Sequence, residues 1–109
     1  MRILSAIEVK NKIEQNPKIH LINALRLDLF KKGHIPNSLN ISSMDAGSLP
    51  FEKDEEIIVY CSDITCTASY YAYLQLEEAG YRNIWRFAGG LREWTERGFP
   101  LASEAVKAT

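Results

Sequence analysis

One short apolar run constrains the fold of this 109-residue chain more than any other part of its sequence. Residues 57–60, Ile-Ile-Val-Tyr, are all β-branched or aromatic. Such a continuous run is typical of a strand that is buried on both faces of a sheet. Strands of that kind occur mainly in parallel sheets that are covered by helices. The run therefore predicts the central strand of an α/β fold.

Patterns of strands and helices alternate along the whole chain. Ser5 and Glu8 have the form of a capping box ahead of the first helix, and Gly80 stands at the left-handed position that ends the third. Residues 43–56 are expected to be mostly loop. The sequence predicts helices over Ala6–Gln15, Leu27–Lys32, Ala68–Ala79 and Leu91–Arg97, and strands over Lys18–Asn23, Ser38–Ser42, Ile57–Tyr60 and Ile84–Phe87. This alternation indicates an open, mainly parallel sheet, in which ligands bind beyond the carboxyl ends of the strands.

Composition limits the number of domains and the kind of partner. With 46% hydrophobic and 25% charged residues, the chain fits one compact domain, predicted over residues 1–101, with a tail over residues 102–109. The formal net charge of −1 gives no reason to expect binding to nucleic acid or to an anionic membrane. The first fifteen residues lack the apolar core of a signal peptide, and no run approaches transmembrane length. We therefore expect a cytoplasmic protein with small-molecule or protein partners; the sequence leaves its oligomeric state open.

Both cysteines lie in one segment between the buried strand and the third helix, Cys61-Ser62-Asp63-Ile64-Thr65-Cys66-Thr67. A segment of this kind can curl so that its backbone amides converge on the sulfur of Cys61. The helix start adds positive partial charge at the same place. Both effects favour the thiolate, which is the nucleophilic form of cysteine. We predict that Cys61 is a catalytic nucleophile and that residues 62–67 form its substrate-binding loop.

Other interpretations of these residues stay open. A free cysteine often packs as a small hydrophobic residue, and for Cys66 that interpretation leads, with a resolving thiol as the alternative. Thr67 can cap the helix and can also hydrogen-bond to the site. The spacing of Cys61 and Cys66 relative to His20 and His34 does not favour a zinc site. Neither a metal nor a cofactor is predicted.

Four segments resemble, in their order along the chain, the rhodanese family. They are the turn 33–36, Gly-His-Ile-Pro, after an aromatic residue; the strand that leads into Cys61; the link 78–84 into the last strand; and Gly89-Gly90 followed by Trp94. The resemblance implies a rhodanese-like five-stranded sheet with helices on both faces. It also implies a sulfurtransferase that moves a sulfane sulfur from thiosulfate or a persulfide, through a Cys61 persulfide, to a thiol or protein acceptor. Thr67 would match the family's hydroxyl residue after the loop.

Several positions depart from the family pattern. The family's Asp-Val-Arg at the end of the first strand appears as residues 23–25, Asn-Ala-Leu, the loop glycine is Ile64, and the loop's basic residue is Cys66. Asp63 adds a negative charge. Because thiosulfate is a dianion, losing a charge-assisted donor, typically worth about 1.5–3 kcal/mol, predicts weak thiosulfate turnover. The basic residues left to compensate are Arg26, Lys31, Lys32, Arg86 and Arg92.

Three other functions compete with sulfur transfer. Phosphatases that share the rhodanese fold use a cysteine loop one residue longer that ends in arginine, whereas Thr67 stands here and leaves no bidentate clamp for phosphate. A non-catalytic rhodanese-like module that binds a protein partner would explain the missing arginine. A thiol-redox or persulfide relay would use Cys66 to attack the oxidised or persulfidated Cys61. His34, Phe87 and Trp94 are interpreted as structural.

Overall fold

The computed structural model describes residues 1–41 and 49–103 of the chain. Its helices and strands are α1 (Ala6–Gln15), β1 (His20–Asn23), α2 (Leu27–Lys32), β2 (Ser38–Asn40), β3 (Ile57–Tyr60), α3 (Ala68–Glu78), β4 (Ile84–Phe87) and α4 (Gly90–Glu96). Every predicted helix and strand is present, with ends that differ by no more than two residues. Part of the predicted loop and the tail after Ser103 lie outside the described residues. No helix in the described part of the chain is long and apolar enough to cross a membrane.

The strands form one parallel sheet in the order β2-β1-β3-β4. Val59 of β3 lies beside Ile22 of β1 on one side and beside Arg86 of β4 on the other. Because β3 has a hydrogen-bonded neighbour on each side, it is an inner strand, and all four of its residues are buried. The predicted parallel α/β sheet is confirmed, and Cys61 follows β3 at the carboxyl edge.

The sheet of the described residues has four strands, so the expected number of five is wrong for them. The segment before α1 contributes only a single parallel bridge, between Ile3 and Arg86. Leu4 donates to the Arg86 carbonyl oxygen at 2.9 Å, and Arg86 donates to that of Arg2 at 2.8 Å. Ser5 then begins α1 through the predicted capping box. Because the helix starts three residues after Ile3, with Ser5 as its N-cap, this segment is too short to continue as a fifth strand.

Helices cover both faces of the sheet because side chains alternate along β3. Ile58 and Tyr60 belong to a core cluster that also contains residues of α1 and α4. Ile57 and Val59 belong to a second cluster, which contains residues of α3. The sheet is therefore the middle layer of three, as predicted from the buried run.

The three residues interpreted as structural all lie inside the fold. Phe87 and Trp94 are buried and meet edge to face, with ring centroids 6.4 Å apart. His34 is buried and stacks on Phe30 with ring centroids 4.0 Å apart, while its Nδ1 atom lies 2.8 Å from the Phe30 carbonyl oxygen. The backbone of His34 also pairs with Ala102. These contacts give His34 a role in fixing the turn after α2.

Candidate active site

Cys61 lies at the base of its loop, directly after β3. Its side chain is only 1% exposed. The Sγ atom donates to Ser69 Oγ at 3.4 Å and approaches the carbonyl oxygen of Cys66 at 3.5 Å. The thiol is therefore held by the beginning of α3 on one side and by its own loop on the other.

The first turn of α4 fixes the backbone of Cys61. Leu91 donates to the Cys61 carbonyl oxygen at 3.0 Å, and Arg92 donates to that of Ser62 at 2.8 Å. Gly90 has a φ of +56°, and a Cβ atom at this position would overlap the carbonyl group of Cys61. Only glycine combines this backbone conformation with such a close approach. The Gly-Gly motif seen in the sequence therefore positions the cysteine loop.

Asp63 organises the exposed half of the loop. Its carboxylate accepts from the Thr65 amide at 3.0 Å and from the Thr65 hydroxyl at 2.6 Å, and its carbonyl oxygen accepts from the Cys66 amide at 3.0 Å. The hydrogen bonds from Thr65 lower the pKa of the Asp63 carboxyl, which is therefore ionised at neutral pH. Two of the loop amides that the sequence assigned to the sulfur are thus directed at Asp63.

Three other amides, those of Ser62, Ala68 and Ser69, face the two thiols. Burial raises the pKa of Cys61, and the adjacent Cys66 thiol raises it further, while the amide and hydroxyl of Ser69 partly oppose them. Burial also acts on Cys66, but hydrogen bonds from the Cys61 thiol and from the amides of Ala68 and Ser62 lower its pKa. The expectation that the loop favours a Cys61 thiolate is therefore corrected. When both thiols are unreacted, the loop favours the thiolate of Cys66 over that of Cys61.

The hydroxyl beside Cys61 belongs to Ser69, which sequence reasoning missed. Thr67 is the N-cap of α3, but it is exposed and its side chain makes no capping hydrogen bond. Ser69 lies two residues later and is completely buried. Its spacing of three and seven residues from the buried Ala72 and Leu76 is the signal that could have identified it, because this spacing defines one face of a helix.

Of the five basic residues considered as compensation, the structure brings Arg86 to the cysteine. Its Nε atom donates to Ser69 Oγ at 3.0 Å. Arg26 and Arg92 instead pair with carboxylates on their own segments, and their side chains are 76% and 72% exposed. The two lysines of α2 are also exposed. Arg86 thus contacts the serine that contacts Cys61.

A cleft of about 310 Å³ opens beside the cysteine loop. Its charged side chains are three carboxylates and one guanidinium. The lining residues are Asp63, Ile64, Thr65, Gly89, Arg92, Glu93 and Glu96. Because carboxylates outnumber cations, the cleft disfavours a dianionic ligand relative to a neutral or zwitterionic one.

The histidines do not join the two cysteines. His20 lies at the start of β1, on the opposite edge of the sheet from Cys61, with Nε2 2.9 Å from Glu55 Oε1. His34 contacts the carbonyl oxygen and the ring of Phe30 in the turn after α2. In the described residues, the two cysteines are neighbours, but neither histidine considered for zinc lies beside them.

Sequence comparison decides the family. The model of the rhodanese-like domain matches residues 5–97. The chain belongs to the rhodanese-like family. Among curated proteins, none matches the chain. The motifs that carried the resemblance, from the Gly-His-Ile-Pro turn to the final Gly-Gly, all lie within the matched region.

Solved structures have the same fold as this rhodanese-like chain. The rhodanese-like domain of an Anabaena protein is 23% identical with a TM-score of 0.81, and the match covers 100% of this chain and 86% of that one. A single-domain sulfurtransferase of Saccharomyces cerevisiae is 24% identical with a TM-score of 0.74, over 89% and 90%. A thiosulfate sulfurtransferase of Pseudomonas aeruginosa is 20% identical with a TM-score of 0.82, over 98% of this chain and 21% of that one. At these identities the similarity shows the rhodanese-like fold.

Proposed function

We propose that this rhodanese-like chain is a sulfurtransferase that carries a sulfane sulfur on Cys61. The donor would be a persulfide or thiosulfate, and the acceptor a thiol or another thiophilic group. The observation that carries the proposal is the place of Cys61, a thiol fixed at the carboxyl edge of a parallel sheet between a serine hydroxyl and a second thiol. The sulfurtransferase names of two solved structures with this fold support it.

Loading of Cys61 begins with the loss of its proton. Cys66 is the adjacent group that can accept this proton, because its lowered pKa makes its thiolate available and the Cys61 thiol is its neighbour. The Cys61 thiolate then attacks the outer sulfur of the donor and forms a new S–S bond. The old S–S bond breaks, and sulfite leaves thiosulfate, or a thiolate leaves a persulfide donor, with the electron pair.

Unloading is the same displacement at the outer sulfur of the persulfide. The acceptor's nucleophile attacks this sulfur, the S–S bond to Cys61 breaks, and the Cys61 thiolate leaves with the electron pair. Ser69 Oγ lies 3.4 Å from this leaving sulfur and can donate its hydroxyl hydrogen to it. The cycle moves one sulfane sulfur from the donor to the acceptor with no net gain or loss of electrons, so it needs no external oxidant or reductant.

A persulfide suits this site better than thiosulfate does. Asp63 is ionised and lines the cleft beside the loop, and Glu96 lines the same cleft. Thiosulfate carries two negative charges, whereas an amino-acid persulfide carries an ammonium group as well as its acidic groups. The acidic cleft therefore supports persulfide donors as the principal substrate class.

Intact-mass spectrometry tests the proposal. After exposure to a sulfane donor, the wild type and Cys66→Ser are expected to gain about 32 Da, the mass of one sulfur, whereas Cys61→Ser gains none. Addition of a thiol acceptor should remove the extra mass. Cys66→Ser serves as the matched control, since it removes a thiol from the same loop. Sulfur retained on Cys61→Ser would overturn the assignment of Cys61.

A second candidate function, a thiol-redox relay, is favoured by the setting of Cys66. The amides of Ala68 and Ser62 face its sulfur and lower its pKa, and the Cys61 thiol is its neighbour. In the relay, the Cys66 thiolate attacks the Sγ atom of persulfidated Cys61, the S–S bond breaks, and hydrosulfide leaves with the electron pair. The product is a Cys61–Cys66 disulfide, and a dithiol reductant returns both thiols.

Product analysis separates the two functions. In the absence of acceptor, the relay converts the loaded protein into a species about 2 Da lighter than the reduced protein and releases hydrosulfide. Cys66→Ala should then keep its persulfide longer than the wild type. Equal persulfide lifetimes and no disulfide in the wild type would leave Cys66 without a resolving role.

A further inference from the structure

Three residues from separate elements form a chain of contacts that ends at the Cys61 sulfur. Arg86 of β4 donates from Nε to Ser69 Oγ at 3.0 Å, and Ser69 Oγ lies 3.4 Å from Cys61 Sγ. Ser69 is completely buried and Cys61 is 1% exposed. The contact between the arginine and the serine is therefore made at the edge of the core, where solvent screens charge less than it does at the surface.

We propose that Arg86 is a positioning residue that acts through Ser69 to stabilise the anionic forms of the Cys61 side chain. A serine hydroxyl has two acceptor sites and one hydrogen. In the thiol state, the oxygen accepts from Arg86 and from the Cys61 thiol. When Cys61 loses its proton, the hydroxyl hydrogen turns to the sulfur, and the guanidinium polarises that hydroxyl as a donor.

The charge of Arg86 is available for this role. Arginine side chains in proteins carry a positive charge on a planar guanidinium that donates hydrogen bonds. Among the ion pairs of residues 1–41 and 49–103, none includes Arg86. Its backbone is tied into the sheet on both sides, by Val59 of β3 and by Leu4. The side chain lies near the Tyr70 ring, 5.9 Å from its centroid. The arginine is thus held in place, and no carboxylate of the described residues pairs with it.

This arrangement replaces a positive group that the loop lacks. Cys66 stands where the family often has a basic residue, and Asp63 makes the loop more negative. Arg86 acts on the Cys61 sulfur through Ser69 of α3, instead of from a position in the loop itself. The role of Arg86 during turnover rests on the proposed sulfur transfer. In that reaction the Ser69 hydroxyl faces Cys61 when Cys61 leaves as a thiolate. The effect on the free thiol does not rest on it.

The test measures the alkylation rate of Cys61 by iodoacetamide against pH, in a Cys66→Ser background that leaves one thiol. Arg86→Gln is expected to raise the apparent pKa of Cys61 and to slow its alkylation near neutral pH by roughly three- to tenfold, since one pKa unit is a factor of ten. Ser69→Ala should produce a similar shift. Arg86→Gln added to Ser69→Ala should cause little further change, because the contact through which the arginine acts is already gone.

The matched control is Arg82→Gln, which removes the same charge from an exposed position ahead of β4, at the opposite edge of the sheet. It should leave the alkylation profile unchanged. A profile of Arg86→Gln equal to that of Arg82→Gln would overturn the proposal, and so would a full Arg86→Gln effect in the Ser69→Ala protein. Arg86→Lys, which keeps the charge, should recover part of the shift.

Thermal unfolding of each variant separates folding from the effect on the thiol. If Arg86→Gln does not fold, Ser69→Ala and Arg86→Lys carry the test, and a wild-type alkylation profile in Ser69→Ala then overturns the proposal. Alkylation uses no sulfur donor, so its result is independent of sulfur transfer. A shifted profile with no persulfide on any variant would remove the proposed function and keep the role of Arg86.

Discussion

The backbone amide of Leu91 donates to the carbonyl oxygen of Cys61 at 3.0 Å, which ties the first turn of the last helix to the proposed nucleophile. This hydrogen bond joins two residues that lie 30 positions apart in the sequence. The bond forms because Gly90 brings the backbone of α4 against the cysteine peptide. The stability of the fold and the placement of Cys61 thus depend on the same contact.

Gly90→Ala is therefore expected to lower the free energy of unfolding by about 2–4 kcal/mol, since it adds both positive-φ strain and overlap with the Cys61 carbonyl group. Urea denaturation measures the effect. Gly98→Ala is the control, because Gly98 also has a positive φ, of +80°, but open space around it. That change should cost only about 1 kcal/mol. Equal losses in the two variants would show that the contact with Cys61 contributes nothing.

Tyr60→Phe is expected to lower the free energy of unfolding by about 1–3 kcal/mol, because it leaves a buried amide without its acceptor. The Tyr60 hydroxyl accepts from the Ile35 amide at 3.0 Å and lies 2.7 Å from Ser38 Oγ, inside the core. The measurement is again urea denaturation. Tyr71→Phe removes a hydroxyl from a side chain that is 59% exposed and should change stability by less than about 0.5 kcal/mol. If Tyr60→Phe lowered the free energy of unfolding as little as Tyr71→Phe does, the result would contradict this account.

Local patterns predicted the elements of the fold well, and for a physical reason. The alternation that defines a buried strand and the spacing that defines a helix face are both properties of neighbouring residues, as the run 57–60 and the helix from Ala68 show. The number of strands was not predictable in this way. Whether the residues around Ile3 form a strand or one bridge depends on how soon Ser5 starts the helix and on how much of β4 they can reach.

The sequence could locate Cys61 but could not assign the charges around it. Which amides face which sulfur depends on how the loop turns, and that turn is set by Asp63 accepting from Thr65 and Cys66. The sequence did not identify Ser69, because the family pattern suggested that the hydroxyl group is that of Thr67, two residues earlier. Arg86 was one of five basic candidates, and only the sheet register places it beside α3.

The two thiols are expected to alkylate over different pH ranges. Because the pKa of Cys66 is lowered and that of Cys61 is raised, Cys66 should react first near neutral pH, and Cys61 should react as the pH rises above the usual cysteine value of about 8.5. Peptide mass spectrometry after short iodoacetamide pulses measures each site. In Cys66→Ser, the neighbour that raises the Cys61 pKa is gone, so Cys61 should react at a lower pH than in the wild type. An unchanged Cys61 profile in that variant would contradict coupling of the thiols.

Asp63→Asn is expected to raise kcat/KM for thiosulfate by about two- to fivefold, a modest gain because solvent screens the charge of this carboxylate. The amide keeps an oxygen that can accept from Thr65, so the loop turn is retained while the negative charge beside the cleft is removed. The gain should be smaller with an amino-acid persulfide, which carries less net negative charge than thiosulfate. Asp54→Asn removes the same charge from an exposed turn ahead of β3, at the far edge of the sheet, and should change neither rate. Equal gains for both donors would show that Asp63 acts on the thiol pair instead of on the approaching substrate.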